Sequence, residues 1–515
     1  MRIADTGLDL RPLAGAVPAA VATVDEVQWS AITERFAQAG TRLVALWGSD
    51  RRDLAEGFVV HAAYAAADGL ACVCLRGTGD PPSYPDVSSR FPAAARMQRA
   101  LFDLLGVCAH GAEDQRPWLR HGAWPADFFP LRRDADGARA FDIEQERYDF
   151  VTVAGDGVHE IPVGPIHAGI IEPGHFRFSI VGEKVLRLEQ RLGYVHKGID
   201  KRFEGTAIDE AHRLAGRVSG DSTVAYAWAY AMAAESIAGC EIAPRAAWLR
   251  ALLLERERVA NHLGDLGALG NDAALAFGLA QFSRLREQWL RANAEIFGHR
   301  LLMDRVVPGG VAIDPDAGAL ARLGRQCDDI EGEVRTLRAI YDEHAGLQDR
   351  FQTTGIVTPE LAARLGLTGL AGRASGQAHD LRVDFPCAPY DQLNVERAGD
   401  VRGDVAARVA VRFAEIFESL RLIRAIVQQI PAGETRGKIS GSSAAGFGIG
   451  WVEGWRGDVL VALEANGSGR VRRCHCHDPS WQNWPLLEHA VLGNIVPDFP
   501  LINKSFNLSY SGQDL

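Results

Sequence analysis

The chain has 515 residues, 47% of them hydrophobic, and carries 66 acidic against 55 basic side chains for a formal net charge of −11. That length can bury more than one core, and the acidic balance argues against a general binder of nucleic acid or of anionic membrane. The 8 cysteines lack the density and pairing of a secreted disulfide scaffold, so a reducing compartment is expected.

The first residues carry Asp5 and Asp9 and show no basic region followed by an apolar core, so no signal peptide is expected. From about residue 25 to 135, short apolar runs alternate with helical patterns. Residues 58–60 and 70–75 read as strands, and Ala94, Leu101, Leu104 and Leu105 recur at helical spacing between Ser89 and Gly106, with Pro92 suited to a first turn. A small α+β domain is predicted there. The charged, Gly-containing run 132–137 opens a linker that extends to about residue 150. Phe176, Phe178 and Ile180 alternate with Arg177 and Ser179, and Gly182-Glu183 turns the chain into 185–188, which predicts a hairpin.

Beyond the hairpin the pattern is mostly helical. The most apolar stretch, 224–238, is interrupted by Glu235 and falls short of the roughly 18–20 apolar residues that span a bilayer, so no membrane crossing is expected. Val405, Val409, Phe413, Ile416, Leu420, Ile423, Val427 and Ile430 make one apolar stripe closed by Pro431, which predicts a long core helix. Residues 459–463, the Asn466-Gly467 turn and 470–476 read as a closing hairpin. No Gly-x-Gly-x-x-Gly follows a strand, no Walker-type loop is present, and the cysteines form no iron–sulfur frame. Cys474-His475-Cys476-His477 alternates faces if it is a strand, so its four side chains cannot converge on a metal; Cys72 and Cys74 repeat that spacing. Cys108, Cys240, Cys327 and Cys387 are isolated and read as packing residues.

A set of short motifs runs through the rest: Gly164-Pro165-Ile166-His167, Glu172-Pro173-Gly174-His175-Phe176-Arg177, and Leu192-Gly193-Tyr194-Val195-His196-Lys197-Gly198-Ile199-Asp200-Lys201. With them come Glu255-Arg256-Glu257-Arg258-Val259-Ala260-Asn261-His262-Leu263, Arg373-Ala374-Ser375-Gly376, Asp380-Leu381-Arg382, Tyr390, Val452-Glu453-Gly454-Trp455-Arg456-Gly457 and Asn483-Trp484-Pro485. These motifs resemble the large subunit of membrane-bound nickel-iron hydrogenases of the formate-hydrogenlyase (group 4, hydrogenase-4) type, and equally the quinone-site subunit of complex I. Phe102-Asp103-Leu104-Leu105-Gly106-Val107, Trp124-Pro125 and Pro130-Leu131-Arg132 resemble the small peripheral-arm subunit that complex I carries beside it. The resemblance implies two units: residues 1–150, a small α+β domain and linker, and residues 151–515, a larger, mainly α-helical domain with flanking β hairpins. The fold class is α+β.

In the hydrogenases four thiolates from two Cys-x-x-Cys frames hold nickel and iron. The matching positions here are Ser219, Ser222, Ser480 and Asn483, harder donors that stay un-ionised at pH 7, so no nickel–iron site and no metal or cofactor on this chain are expected. The resemblance makes Glu172 a candidate proton carrier, a role that needs a carboxyl group in a partly dry cavity with a raised pKa; bonding of the Pro173-Gly174 turn is the structural alternative. His175, Arg382 and Arg456 join it as candidate cavity and relay residues, and Arg177, Arg382 and Arg456 could pair with Glu172, Asp380 or Glu453. His167, His196 and His262 sit in motif positions and read equally as core or rim histidines. In the complex I relatives a histidine of the hairpin turn and a tyrosine of the segment matching 217–222 hold a quinone headgroup. Here the turn reads Glu172-Pro173-Gly174, and Tyr226 and Tyr230 are the nearby tyrosines.

The implied function is that of a cytoplasmic, peripheral-arm subunit of a membrane-associated oxidoreductase complex, recruited to the inner (plasma) membrane by other subunits. An iron–sulfur small subunit would hold the clusters, antiporter-like membrane subunits would move ions, and this chain would couple redox or proton events at a cavity to that transport. The alternatives are a non-catalytic platform subunit and an active nickel-iron hydrogenase or NADH-quinone oxidoreductase-type subunit.

Overall fold

The structure, a computed structural model, describes residues 1–144, 146–169, 171–437, 439 and 445–515. The N-terminal part is a five-stranded sheet of β1 (Arg11–Leu13), β2 (Ala19–Val24), β3 (Arg42–Arg51), β4 (Gly57–Ala66) and β5 (Gly69–Arg76), in the order β1-β2-β5-β4-β3. Helix α1 (Glu26–Gln38) begins in a capping box in which Asp25 accepts the Gln28 N–H at 2.8 Å. Helix α2 (Ala94–Leu105) occupies the predicted span, with Pro92 two residues ahead of it. The middle strands are buried along nearly their whole length because both faces are covered. Phe36 of α1 stacks on Tyr64 at 4.4 Å on one face, while Trp47 on the other stacks on His475 of the C-terminal sheet at 5.2 Å.

Residues 111–157 contain no helix or strand among those described. They form a strap pinned by ion pairs, Arg120 and Arg191 both holding Glu146, at 2.8 and 2.5 Å. The predicted hairpin is β7 (His175–Val181) with β8 (Lys184–Arg191), flanked by β6 (Val158–Val163). The larger part is then helical: α3 (Thr223–Ala238), α4 (Pro244–Asp272), α5 (Ala276–Phe297), α6 (Ala317–Glu343) and α7 (Val405–Gln429). Helix α7 follows the stripe read from the sequence, opens on Asp404, which accepts the Ala407 N–H at 2.8 Å, and ends one residue before Ile430.

A three-stranded sheet, β9 (Gly446–Glu453), β10 (Asp458–Ala465) and β11 (Val471–His477), packs between the N-terminal sheet and α3. The close approach of α3 is written in small residues. A Cβ on Gly450 would lie 1.9 Å from the Ala229 carbonyl oxygen, so only glycine lets the alanine-rich helix lie against the strand. On β11, His475 stacks on Trp47 of the N-terminal sheet, whereas Cys474 and Cys476 lie near Tyr230 of α3. The alternation expected of that strand holds. Helix α8 (Ser480–Ala490) and the C-terminal helices α9 (Phe499–Phe506) and α10 (Tyr510–Asp514) close the structure against β8 and α4.

Candidate functional site

Two antiparallel helices supply the centre. Glu255, Arg258, His262 and Asp265 recur on one face of α4, and Arg412, Glu415 and Ser419 on the facing side of α7. The two rows meet in register: Asp265 accepts Arg412 Nε at 3.0 Å, His262 Nε2 lies 2.8 Å from Glu415 Oε2, and Glu255 accepts the Ser419 hydroxyl at 2.6 Å. Short helices and turns between α6 and α7, with Glu453 at the end of β9, complete the cluster. Arg373 donates to Glu415 and to Glu453, each at 2.8 Å, and Arg382 bridges Asp380 at 2.7 Å and Glu255 at 3.2 Å. Tyr390 donates to Glu255 at 2.7 Å.

All of these side chains are buried, where an unpaired charge costs several kcal/mol, so near-complete pairing is required. The cluster's guanidiniums Arg258, Arg373 and Arg382 face the carboxylates Glu255, Asp380, Glu415 and Glu453, an excess of one negative charge if all ionise. That excess favours keeping a proton. Burial pushes Glu453 up to about 7 although Arg373 beside it pulls the other way, and burial lowers His262 despite its contact with Glu415.

A second row of polar groups leads outward from this cluster. Asp265 accepts from Asn507 Nδ2 at 2.6 Å, and the Asn507 carbonyl accepts Arg456 Nε at 2.6 Å. Arg456 then pairs with Asp221 at 2.6 Å; burial alone would raise that carboxyl, but the guanidinium holds it at about 2. Asp221 accepts the Ser219 hydroxyl at 2.6 Å, Ser219 lies 3.2 Å from the Ser509 hydroxyl, and Ser509 lies 3.5 Å from that of Ser511. The Ser511 N–H reaches Glu172 at 3.1 Å. Beside the row, burial pushes Glu257 up to about 8 against two backbone N–H donors and Asp514 up to about 7.

Residues 272–445 match the family model for the "Respiratory-chain NADH dehydrogenase, 49 Kd subunit", and residues 22–140 match that for the 30 Kd subunit. Formate hydrogenlyase subunit 5 of Escherichia coli is 30% identical over 483 residues, covering 92% of this chain and 85% of that protein. The chain belongs to the formate hydrogenlyase and complex I subunit family. Its members include hydrogenase-4 component G of Escherichia coli, 30% identical over 92% of this chain and 83% of its own length. An NADH-quinone oxidoreductase subunit of Bacteroides thetaiotaomicron is 27% identical over 76% of this chain and 78% of its own length. A chain of the membrane-bound sulfane sulfur reductase, an archaeal respiratory membrane complex, superposes with a TM-score of 0.66 at 24% identity, covering 71% of this chain and 100% of that one. That likeness establishes the fold.

Ser219, Ser222, Ser480 and Asn483, the positions that the motif resemblance matches to four thiolates, carry groups that do not fit a nickel–iron centre. Ser219 and Ser480 converge on Ser509, whose N–H donates to Ser480 Oγ at 2.9 Å. Ser222 accepts Arg456 Nη1 at 3.3 Å, while Asn483 turns away and pairs with the Thr368 backbone at 3.1 and 3.2 Å. Hydroxyls and an amide are poor ligands for a thiophilic pair, and a fixed guanidinium among them disfavours a second cation. The tyrosines are committed too: Tyr226 donates to Asp478 at 2.7 Å and Tyr230 to the Ile208 carbonyl at 2.8 Å.

The residues expected at the site divide. Arg382 and Arg456 lie in the buried cluster and its outward row. Glu172 is exposed in this chain rather than enclosed in a dry cavity, and it bonds the Ser511 N–H rather than its own turn. His175 is buried, with Nδ1 3.2 Å from the Gly164 carbonyl and Nε2 without a hydrogen-bond partner among the described residues, and burial lowers its pKa. It borders a surface recess with Arg177, which pairs with Glu160 rather than Glu172, Asp380 or Glu453. His167 and His196 bond backbone carbonyls at 2.7 Å each. Sequence reasoning missed Glu415, Asp265, Ser509, Ser511 and Asp514. A signal existed for the first two, polar residues at helical spacing beside an apolar stripe; for the C-terminal serines there was none.

Proposed function

We propose that the chain is a peripheral-arm subunit of a membrane-bound oxidoreductase complex related to formate hydrogenlyase and complex I, that it holds no nickel–iron centre, and that its former metal pocket handles protons. The observation that carries this reading is the hydroxyl row of Ser511, Ser509 and Ser219 that ends on Asp221, with the Glu172 carboxylate held beside its outer end by the Ser511 backbone N–H. Each hydroxyl can take a proton on a lone pair as it releases its own. Glu172 stands at the exposed end, where its carboxyl must swing from the Ser511 N–H to the Ser511 hydroxyl to pass a proton, and the buried acids with raised pKa values, Glu257 and Glu453 among them, are the groups able to hold one. Charge added or removed beside the buried arginine cluster would then bias its packing and carry the event toward membrane partners.

The relatives are named as subunits of formate hydrogenlyase and of NADH-quinone oxidoreductase, which supports membership of a hetero-oligomeric complex; in that complex an iron–sulfur small subunit would carry the clusters and antiporter-like membrane subunits would complete the assembly. No helix among the described residues is long and apolar enough to cross a membrane, in keeping with attachment to the cytoplasmic face of the inner membrane through such partners. A second reading, a platform that moves no protons, is favoured by the saturation of the polar groups at the four thiolate positions. Glu172→Gln in the assembled complex decides between them. Proton handling predicts a fall in turnover of about 10²-fold or more with little change in KM, whereas the platform reading predicts wild-type turnover. Stoichiometric nickel in the purified complex would sink the metal-free pocket.

A further inference from the structure

Within the N-terminal sheet, β4 and β5 bring together a second donor set. Cys72 and Cys74 are two apart on β5 and share a face, and the antiparallel register places His61 of β4 directly opposite Cys74. One ligand atom from each of the three lies within 4.8 Å of the other two, and His61 Nδ1 is 3.1 Å from Cys74 Sγ. We propose that His61, Cys72 and Cys74 form a binding site for a thiophilic d¹⁰ cation, Zn²⁺ or Cu⁺, held between the N-terminal and C-terminal sheets.

Four observations converge on it. Two sulfurs and an imidazole nitrogen are the donors that such ions prefer, and neighbouring strands hold them at a spacing that small rotamer changes bring to ligand distance. The far nitrogen of the imidazole is engaged as in metal-bound histidines: Nε2 lies 3.3 Å from Ser49 Oγ and 3.6 Å from Glu464 Oε1, and Ser49 donates to Glu464 at 2.5 Å. Arg51 neutralises that glutamate at 3.0 Å, which leaves the carboxylate to orient the ring rather than compete for the ion. Charge also balances. Zn²⁺ bound by two thiolates and a neutral imidazole is uncharged, like the two thiols and the imidazole before loading, and Cu⁺ reaches the same balance with one of the two thiols still protonated, so loading puts no net charge among three almost wholly buried side chains. Loading releases two thiol protons to solvent for Zn²⁺ and one for Cu⁺, with no change of oxidation state. Because the C-terminal sheet covers the site, the ion enters as the chain folds.

The site is independent of proton handling, and its test is metal content rather than turnover. The full-length protein, produced without chelators, is expected to contain one zinc or copper ion per chain by elemental analysis, lost in both Cys72→Ser and Cys74→Ser. Protein folded with Co²⁺ is expected to show thiolate-to-cobalt charge transfer in the near ultraviolet, a readout that needs no variant to fold. Substoichiometric metal with no charge-transfer band, metal content unchanged in both variants, or a Cys72–Cys74 disulfide found by mass spectrometry would each overturn the assignment.

Discussion

Glu257, Glu453 and Asp514 are acids that burial raises to about 8, 7 and 7, and they give the protein a pH signature of known sign. A raised acid keeps its proton in the folded state after the unfolded chain has lost it, so its contribution to stability falls as pH rises. For Glu257 the fall runs from the ordinary value of 4.5 up to about 8, at about 1.4 kcal/mol per unit of displacement. The depressed acids act oppositely. Asp221, Asp380 and Asp458 are held at about 2 against an ordinary 3.8, and their stabilisation is lost only as pH falls through that window. Buried histidines act in the same sense as the depressed acids, because His121 and His477 are lowered from 6.5 to about 4 and about 3 and their stabilisation is lost as pH falls below 6.5, so stability by chemical denaturation is expected to peak near pH 6 to 7, and Glu257→Gln is expected to flatten the decline on the alkaline side. A decline of unchanged slope in that variant would show that Glu257 does not titrate as argued. Arg382→Ala, which leaves Glu255 and Asp380 short of a cation, is expected to cost about 3–5 kcal/mol, read in the same denaturation experiment.

At the scale of elements, α7 shows what periodicity reveals and what it hides. Its apolar stripe was legible because burying Val409, Phe413, Ile416 and Leu420 together is what makes a helix of that period stable. The neighbouring face, with Arg408, Arg412, Glu415 and Ser419, reads as a solvated surface by composition and is buried all the same, because α4 presents partners to Arg412, Glu415 and Ser419 while Arg408 donates to Ser505 and to the Gly403 and Gly355 carbonyls. Pairing across helices is a relation between distant segments, which no local pattern records. Leu420→Ala, at a fully buried position, is expected to cost about 2–5 kcal/mol through the cavity it leaves. Asp404→Ala, which removes the cap, should cost about 1 kcal/mol. Unfolding midpoints of the two variants check that ordering.

On the scale of the whole molecule, the N-terminal and C-terminal sheets are joined by polar contacts as well as by stacked rings. Asp458 accepts Arg42 at 2.8 Å, the Thr368 hydroxyl at 2.6 Å and Trp451 Nε1 at 2.9 Å, so one carboxylate ties β3, β10 and the loop before α7 together. Asp458→Ala is expected to cost about 3–5 kcal/mol and to speed amide exchange selectively in β3 and β10. Uniform exchange would argue that the sheets hold together without it.

The sequence alone determined the family motifs, the hairpins, the long apolar helix and the three hydroxyls and one amide of Ser219, Ser222, Ser480 and Asn483, since each is carried by residue identity at short range. Tertiary structure decided what those residues touch. It set Glu172 at the surface and joined it to Ser511, more than three hundred positions away, and it matched α4 with α7 and brought His61 to Cys72 and Cys74. Charge pairing and ligand geometry depend on distances of a few ångströms between segments far apart in the chain, and only folding sets those distances.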